Sequence, residues 1–195
     1  MRSLENFHTW APYQAIKVLS VVDLFDTTTR EKITALEPGS DNGFGIKESV
    51  VLHRLYNRIS HDHFYCISGK EKDSAIRSSG YIPDDYSDAG RVLRTAKYGA
   101  AALHRLYNGS DHYYTADADE RAIKLTQGYA VDNVPNAGFV FANPVAGTIP
   151  LYRSYSASAK DHFYTVDHKE HLLSFNIGYV DDGIAGHIFP SAEED

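Results

Sequence analysis

The sequence has very little of the residues that build disulfide or metal-based scaffolds. Cys66 is the only cysteine among 195 residues, so the chain can form neither an intramolecular disulfide nor a cysteine cage for zinc. In two similar stretches further along the chain, the matching positions hold Thr115 and Thr165. This pattern indicates a small packed side chain at Cys66 rather than a catalytic thiol.

Positive charge and long apolar runs are also scarce. Lys and Arg number 19 against 26 Asp and Glu, which leaves a formal net charge of −7 and no basic cluster for nucleic acid. The longest apolar pieces, such as residues 18–22, are far too short to cross a bilayer. The first residues also lack the apolar core of a signal peptide. We therefore expect no nucleic-acid partner, no membrane insertion, and a protein that is cytoplasmic or secreted without a signal peptide.

Tyrosine is plentiful by contrast, with 14 residues against a single Trp and a single Met. The phenol side chain combines a rigid apolar ring with a hydroxyl that both donates and accepts hydrogen bonds. Such chemistry favours β-rich binding surfaces.

A repeated unit fills most of the chain. The strings HDHFYC, SDHYYT and KDHFYT each follow a run rich in Leu, Tyr and Arg, such as LHRLYN. These copies define a predicted three-repeat β domain over 51–195, preceded by an N-terminal segment, 1–50. Within that segment, residues 23–46 resemble a degenerate half-copy that lacks the Asp-His pair. The three full copies span about 52–93, 103–141 and 151–189.

Each copy is predicted to contain four short strands and one helix. Two Tyr-rich runs on either side of a polar stretch indicate a hairpin. A Ser or Asp three residues before a Glu then predicts a capped helix, Gly-Tyr ends the helix and opens a third strand, and Ala-Gly opens a fourth. We interpret the Glu residues as cap partners rather than catalytic acids. The cap and Glu pairs are Ser68 with Glu71, Asp117 with Glu120, and Asp167 with Glu170.

Four strands in each of three copies is the strand count of a β-trefoil, in which closure removes exposed sheet edges. The sequence therefore predicts an all-β fold with short helical turns, and more specifically a three-repeat β-trefoil. The alternative is a four-repeat propeller-like array that includes the degenerate N-terminal copy. Both are compatible with a monomer or a homo-oligomer. The predicted core residues include Leu52, Leu103, Leu151, Phe139, Phe141 and Phe189.

The order of motifs resembles the repeat of a widespread bacterial and fungal domain family of unknown function. That order is Arg-x-Tyr-Asn, Asp-His-Phe-Tyr-Thr, a Glu-containing helical turn, Gly-Tyr and an Ala-Gly-aromatic close, and it covers residues 52–191. Members occur attached to secreted hydrolases and, in mushrooms, as free-standing proteins similar to β-trefoil lectins. The resemblance implies a fungal-type carbohydrate-binding protein. Family copies usually read Glu-Gly before the last strand, and here only the third copy, with Asp182-Gly183, comes close.

The Asp-His pair does not predict an enzyme. Neighbouring residues in a strand point to opposite faces, so Asp62 and His63 cannot form the hydrogen-bonded relay of a hydrolase. The chain contains no Gly-x-Ser-x-Gly elbow, no His-Glu-x-x-His motif and no Asp-x-Asp-x-Asp-Gly loop. We expect no catalytic residue, no metal site and no cofactor.

Sugar binding fits the repeated side chains better. A sugar offers hydroxyls and a C–H face, so its site needs a carboxylate or amide, a basic or imidazole donor and an aromatic ring. The alternative is that the same residues are buried and structural, with the aspartate holding the loop by accepting backbone N–H bonds or by pairing with an arginine. Ser156 replaces the asparagine in the third copy. The predicted carbohydrate-binding residues are Arg54, Asn57, Asp62, His63 and Tyr65; Arg105, Asn108, Asp111, His112 and Tyr114; and Arg153, Asp161, His162 and Tyr164.

The sequence thus predicts a non-catalytic lectin that cross-links glycans in recognition or defence. A single shallow sugar site typically has a Kd of about 1 mM, or about −4 kcal/mol. Linked sites raise avidity by about a hundredfold or more, which gives a reason for the repetition. The ligand class is left open between galactose and N-acetylhexosamine. Alternative functions are a protein-binding trefoil, such as a protease inhibitor, and a glycan-targeting module of a hydrolase system.

Overall fold

The structure is a computed structural model that describes residues 44–191. The predicted half-copy at 23–46 lies almost wholly outside the described residues. A short helix, α1 (Phe44–Lys47), precedes the first copy, which contains β1 (Ser49–Asn57), β2 (Asp62–Cys66), α2 (Gly69–Ser78) and β3 (Ile82–Leu93). The second copy contains β4 (Ala101–Tyr107), β5 (His112–Thr115), α3 (Ala118–Thr126) and β6 (Ala130–Val140). The third contains β7 (Ile149–Ser156), β8 (Asp161–Thr165), α4 (His168–Ser174), a 3₁₀ helix (Phe175–Ile177) and β9 (Val180–Ile188).

Each copy contributes three antiparallel strands with its first strand in the centre, in the orders β2-β1-β3, β5-β4-β6 and β8-β7-β9. Pairing of β3 with β6 joins the first two copies in one six-stranded sheet. The all-β prediction is confirmed. The expected third and fourth strands of each copy are a single long strand, so a copy has three strands and not four. Register shifts between β1 and β3, at Val51/His53 and His53/Leu55, show how the long strand bends without ending, as β-bulges do.

The copies are joined through the ends of their third strands. Leu93 of the first copy pairs with Phe139 of the second, and Phe141 of the second pairs with His187 of the third. Phe189 of the third copy pairs in turn with Arg91 of the first, with two backbone hydrogen bonds of 2.9 Å. The ring therefore closes with three members among the described residues.

The Ala-Gly dipeptides allow this close approach. Gly138 has a φ of +97°, and a Cβ atom there would lie only 2.5 Å from a methyl carbon of Val92 in the preceding copy. A side chain at this position would both strain the backbone and collide with the neighbouring copy. A Cβ atom at Gly186 or Gly90 would likewise lie 2.7 Å from a methyl carbon of Val140 or Ile188. The repeated glycine is thus needed for ring closure.

The core lies along the ring axis. Five of the six predicted core residues are buried, and Phe139 is partly buried. Three tyrosines meet at the centre, where each ring centroid is 5.3 Å from the other two and the rings meet nearly edge to face. Their hydroxyls bond the backbone of a neighbouring copy, as in the 2.8 Å bond from the Tyr65 hydroxyl to the Tyr164 carbonyl. These tyrosines are Tyr65, Tyr114 and Tyr164.

The helices begin and end as the sequence predicts. Ser68, Asp117 and Asp167 are the N-cap residues, and the side chain of each accepts a hydrogen bond from the backbone N–H of the Glu three positions later. The glycine of each Gly-Tyr pair has a positive φ, +75° at Gly80 and +95° at Gly128. None of the helices in the described part of the chain combines the length and apolar character needed to cross a bilayer.

Candidate functional site

The aspartate of each repeated string binds the histidine of the next copy around the ring. Asp161 accepts a hydrogen bond of 2.8 Å from the backbone N–H of His63, and its second carboxylate oxygen lies 2.6 Å from Nδ1 of the same histidine. The Asp-His pair is therefore made between copies and not within one, because adjacent strand residues face opposite ways. The three pairs are Asp62–His112, Asp111–His162 and Asp161–His63.

A tyrosine completes the surroundings of each aspartate. The hydroxyl of Tyr81 donates to Asp62, and the Tyr129 and Tyr179 hydroxyls do the same in the other two copies. The three aspartates are at most 1% exposed, and each carboxylate accepts amide, imidazole and phenol donors. Such a group connects parts of the fold, and its burial leaves no surface for a sugar hydroxyl. The geometry therefore favours the scaffold role for these aspartates over sugar contact.

The same three carboxylates form the cluster of described residues that comes nearest to a cation site. One oxygen of each of Asp62, Asp111 and Asp161 lies within 4.8 Å of the others. A cation would have to displace the imidazole, amide and phenol donors that these oxygens already accept. The cluster is thus explained by contacts between the copies.

Neighbouring carboxylates favour the protonated form of two of the buried histidines. Burial lowers the pKa of His63, but the carboxylates of Asp161 and Asp84 raise it by more, to about 9. The pKa of His112 is raised through the same opposition of burial and carboxylate contacts. Carboxylate–imidazole contacts therefore link the copies.

Arginine–glutamate pairs form a second link between copies. Arg54, only 1% exposed, binds Glu170 of the third copy through two parallel bonds of 3.0 and 2.9 Å. The sequence predicted these glutamates as cap partners, and only their backbone N–H groups have that role. In the second copy the Thr115 hydroxyl accepts the Asp117 backbone N–H instead, which leaves the Glu side chain for Arg153. The three pairs are Arg54–Glu170, Arg105–Glu71 and Arg153–Glu120.

A second acidic residue in each copy was missed by the sequence reasoning as a site residue. Asp84 forms an ion pair with Arg54, with 2.9 Å between its carboxylate and Nε, and lies 3.6 Å from Nε2 of His63. Its side chain is 23% exposed, unlike that of the fully buried Asp62. The signal in the sequence is an acid three residues after the Tyr of each Gly-Tyr pair. These acids are Asp84, Asp132 and Asp182.

The predicted asparagines hold the hairpin turns. The side-chain oxygen of Asn57 accepts backbone N–H groups of Ile59 and Ser60, and that of Asn108 accepts those of Ser110 and Asp111. This bonding is the usual Asx turn. The amides therefore shape the loops beside the junctions between copies.

A cavity of about 570 Å³ opens where the third copy meets the first. We call it the junction cleft. His63 is the only one of the predicted sugar-binding residues that lines it. The first copy contributes Tyr56, His61, His63 and Asp84; the third contributes Ser156, Ser158, Ala159, Phe163, Glu170, Leu173, Ser174, Ile177 and Tyr179.

The junction cleft combines an aromatic ring with charged acceptors and donors. The Tyr56 ring lies beside His63, with 4.6 Å between the centroids. Asp84 and Glu170 are held by Arg54 and keep 23% and 18% of their side chains exposed. The matching Glu120 has a pKa lowered to about 2, first of all by its hydrogen bond from Arg153. Glu120 is therefore an ionised acceptor rather than a proton donor.

The junction between the second and third copies holds a lysine that the junction cleft lacks. Lys124 of α3 lies over the Tyr113 ring, 4.2 Å from its centroid, and 5.5 Å from that of Tyr129. The matching residue of α4 is Ser174, whose short side chain leaves this space in the junction cleft. The three junctions share one plan but are not identical.

The fold and site define a closed ring of three β-sheet repeats with a polar and aromatic cleft between copies. Residues 29–138 match a family described as a domain of unknown function, DUF5648. That match spans 110 of the 195 residues, so the chain belongs to this family. No curated protein and no solved structure matches the chain.

Proposed function

We propose that the protein is a non-catalytic lectin whose sugar site is the junction cleft. The observation that supports this best is the combination found there, in which the Tyr56 ring, the His63 imidazole and the Asp84 carboxylate line one cavity. A sugar needs an aromatic ring for its C–H face, donors for its oxygens and acceptors for its hydroxyl protons. A volume of about 570 Å³ is within the usual range for small-molecule sites.

The predicted residues enter this proposal in two groups. His63 contacts the ligand, and Arg54 orients the two carboxylates from behind the cleft. Asp161 and Tyr65 hold the copies in the arrangement that forms the cleft. The residues of the repeated string thus form the junction between copies. Asp84 of β3 and Glu170 of α4 line the cleft at that junction.

We further propose that the junctions provide two or three sugar sites of unequal strength. Each junction repeats a tyrosine ring stacked near the buried histidine, with centroid distances of 4.6, 4.3 and 4.5 Å for Tyr56, Tyr107 and Tyr155. Lys124 changes the second-to-third junction, so we expect its affinity to differ. Weak sites near 1 mM would still give about a hundredfold gain in avidity on clustered glycans.

The fold enters the proposal as a ring of three lobes about one axis. The β-trefoil prediction shares this threefold plan, but each described copy has three strands where the trefoil count requires four. We therefore propose a ring of three sheets, with the copies joined through their third strands.

Protein binding is the second candidate, because α4 and the 3₁₀ helix expose several apolar side chains. Leu172, Leu173, Phe175 and Ile177 are between 37% and 75% exposed. A cluster of this kind on a surface often marks a protein contact. Loss of a protease's activity on stoichiometric addition of the protein would favour this function over lectin activity.

The test of the proposed function is a glycan array followed by calorimetric titration of the best ligand. Tyr56→Ala and Asp84→Asn should each weaken binding by about tenfold or more, because they remove the ring and one acceptor. Tyr98→Ala, which changes an aromatic residue outside the cleft, should bind as the wild type does. If no glycan on the array binds the protein, or if both cleft variants bind as the wild type does, the junction cleft is not a sugar site.

A further inference from the structure

The junction cleft has one apolar wall beside its polar one. Leu173 of α4 is 54% exposed and Ile177 of the 3₁₀ helix is 75% exposed, and both line the cavity. Asp84 and His63 of the first copy line the same cavity. A plain hexose would satisfy the polar wall and leave these two aliphatic side chains in water. The wall suggests a ligand that carries an apolar substituent as well as hydroxyls.

This apolar wall belongs to the third copy alone. Counted from the N-cap, Leu173 corresponds to Ser74 in the first copy and to Ile123 in the second. Counted from the glycine that ends the helix, Ile177 corresponds to Ser79 and Gln127. Only the third copy has an aliphatic residue at both positions. Since the repeat itself does not require these side chains, a role in the cleft accounts for them.

The contents of the cleft indicate how such a ligand would lie. Asp84 and Glu170 are acceptors that favour an N–H or O–H donor, and their negative charge disfavours an acidic sugar. Ser156 and Ser158 add hydroxyls that can donate to a carbonyl oxygen. A methyl group would pack against Leu173. An acetamido group supplies all three features, since it has an N–H, a carbonyl and a methyl.

We propose that the junction cleft selects an N-acetylhexosamine over the parent hexose, with Leu173 and Ile177 as the specificity-determining residues. This inference rests on the proposed lectin function and narrows its ligand class. The Tyr56 ring receives the C–H face of the sugar, and the acetamido methyl contacts the apolar wall.

The experiment measures Kd for N-acetylglucosamine, N-acetylgalactosamine, glucose and galactose by calorimetric titration. At least one N-acetylated sugar should bind about tenfold more tightly than its parent, as expected for one well-placed apolar group and one hydrogen bond. Leu173→Ser and Ile177→Gln replace these residues with those of another copy. Each should weaken N-acetyl binding several-fold more than it weakens binding of the parent sugars.

Ile59→Gln is the matched control, because Ile59 is 91% exposed in a hairpin loop outside the cleft. This variant should change neither the affinity for N-acetylated sugars nor that for the parent sugars. All three variants should have the melting temperature of the wild type. Equal affinity for N-acetylated and parent sugars, or an equal loss for all four sugars in the variants, overturns the inference and leaves the lectin proposal standing. Absence of binding to every sugar on the array overturns the lectin proposal itself.

Discussion

Asp161 and His63 are 98 residues apart in the sequence, and 2.6 Å separates the Asp161 carboxylate from Nδ1 of His63. This contact ties the third copy to the first and completes the ring. The same carboxylate accepts the Tyr179 hydroxyl and the His63 backbone N–H. One side chain thus satisfies three buried donors from two copies.

Asp161→Ala should lower the free energy of unfolding by about 3–5 kcal/mol, because it leaves an imidazolium and two further donors buried without their acceptor. Urea denaturation followed by circular dichroism measures this loss. Asp73→Ala, which removes an exposed acid of α2, should stay within about 0.5 kcal/mol of the wild type. Similar stability of the two variants would show that the buried pair contributes little.

Stability should also fall at alkaline pH. The pKa of His63 is about 9 in the folded protein and 6.5 without its folded-state partners. The stabilising effect of this histidine is therefore complete below about pH 6.5 and is lost as the pH rises through 9. The shift corresponds to a loss on the order of 3 kcal/mol. Denaturation curves between pH 6 and 10 would measure it. His63→Gln should reduce this slope, whereas His168→Gln, at an exposed position, should keep it; equal slopes would contradict the assignment.

Tyr65→Phe tests the tyrosine cluster on the axis. The lost hydroxyl donates to the Tyr164 carbonyl and accepts the Tyr164 backbone N–H, both at 2.8 Å. Because both groups are buried, the variant should lose about 1–3 kcal/mol of unfolding free energy although its ring still packs. Tyr98→Phe, whose hydroxyl bonds the exposed Glu48, should lose much less. A melting temperature for Tyr65→Phe as high as for the control would argue against a structural role of the central hydroxyls.

Cys66 should be inert in the native protein. Burial raises the pKa of its thiol to about 11, and the side chain has no exposed surface. Labelling with a thiol reagent at pH 8 should therefore be slow in buffer and fast in concentrated urea, as mass spectrometry would show. Fast labelling of the folded protein would reopen the catalytic reading of this cysteine.

Local signals in the sequence predicted the parts of each copy well. The N-caps at Ser68, Asp117 and Asp167 depend on bonds within one turn, so spacing alone identifies them. The leucines Leu52 and Leu103 are buried as expected because strand periodicity records which face is apolar.

Local signals of this kind could not predict the contacts between copies. Nothing near Asp62 in the sequence shows that its partner is His112 of the next copy, because that pairing depends on ring closure. Asp132 was overlooked as a site residue since the stretches before the last strand differ among the copies. The junction cleft was equally hidden, as its two walls come from opposite ends of the described chain.

Because the two walls of the cleft come from different copies, the cleft can bind a ligand only when both copies are present and folded. A polypeptide that stopped before its last repeat would lack α4 and β8, and with them most of the cavity lining. A sugar that contacts both walls would hold the first and last repeats together. It would add RT ln(1 + [L]/Kd) to the free energy of unfolding of the intact protein. Ligand binding would then stabilise the closed ring, and ring closure would in turn form the ligand site.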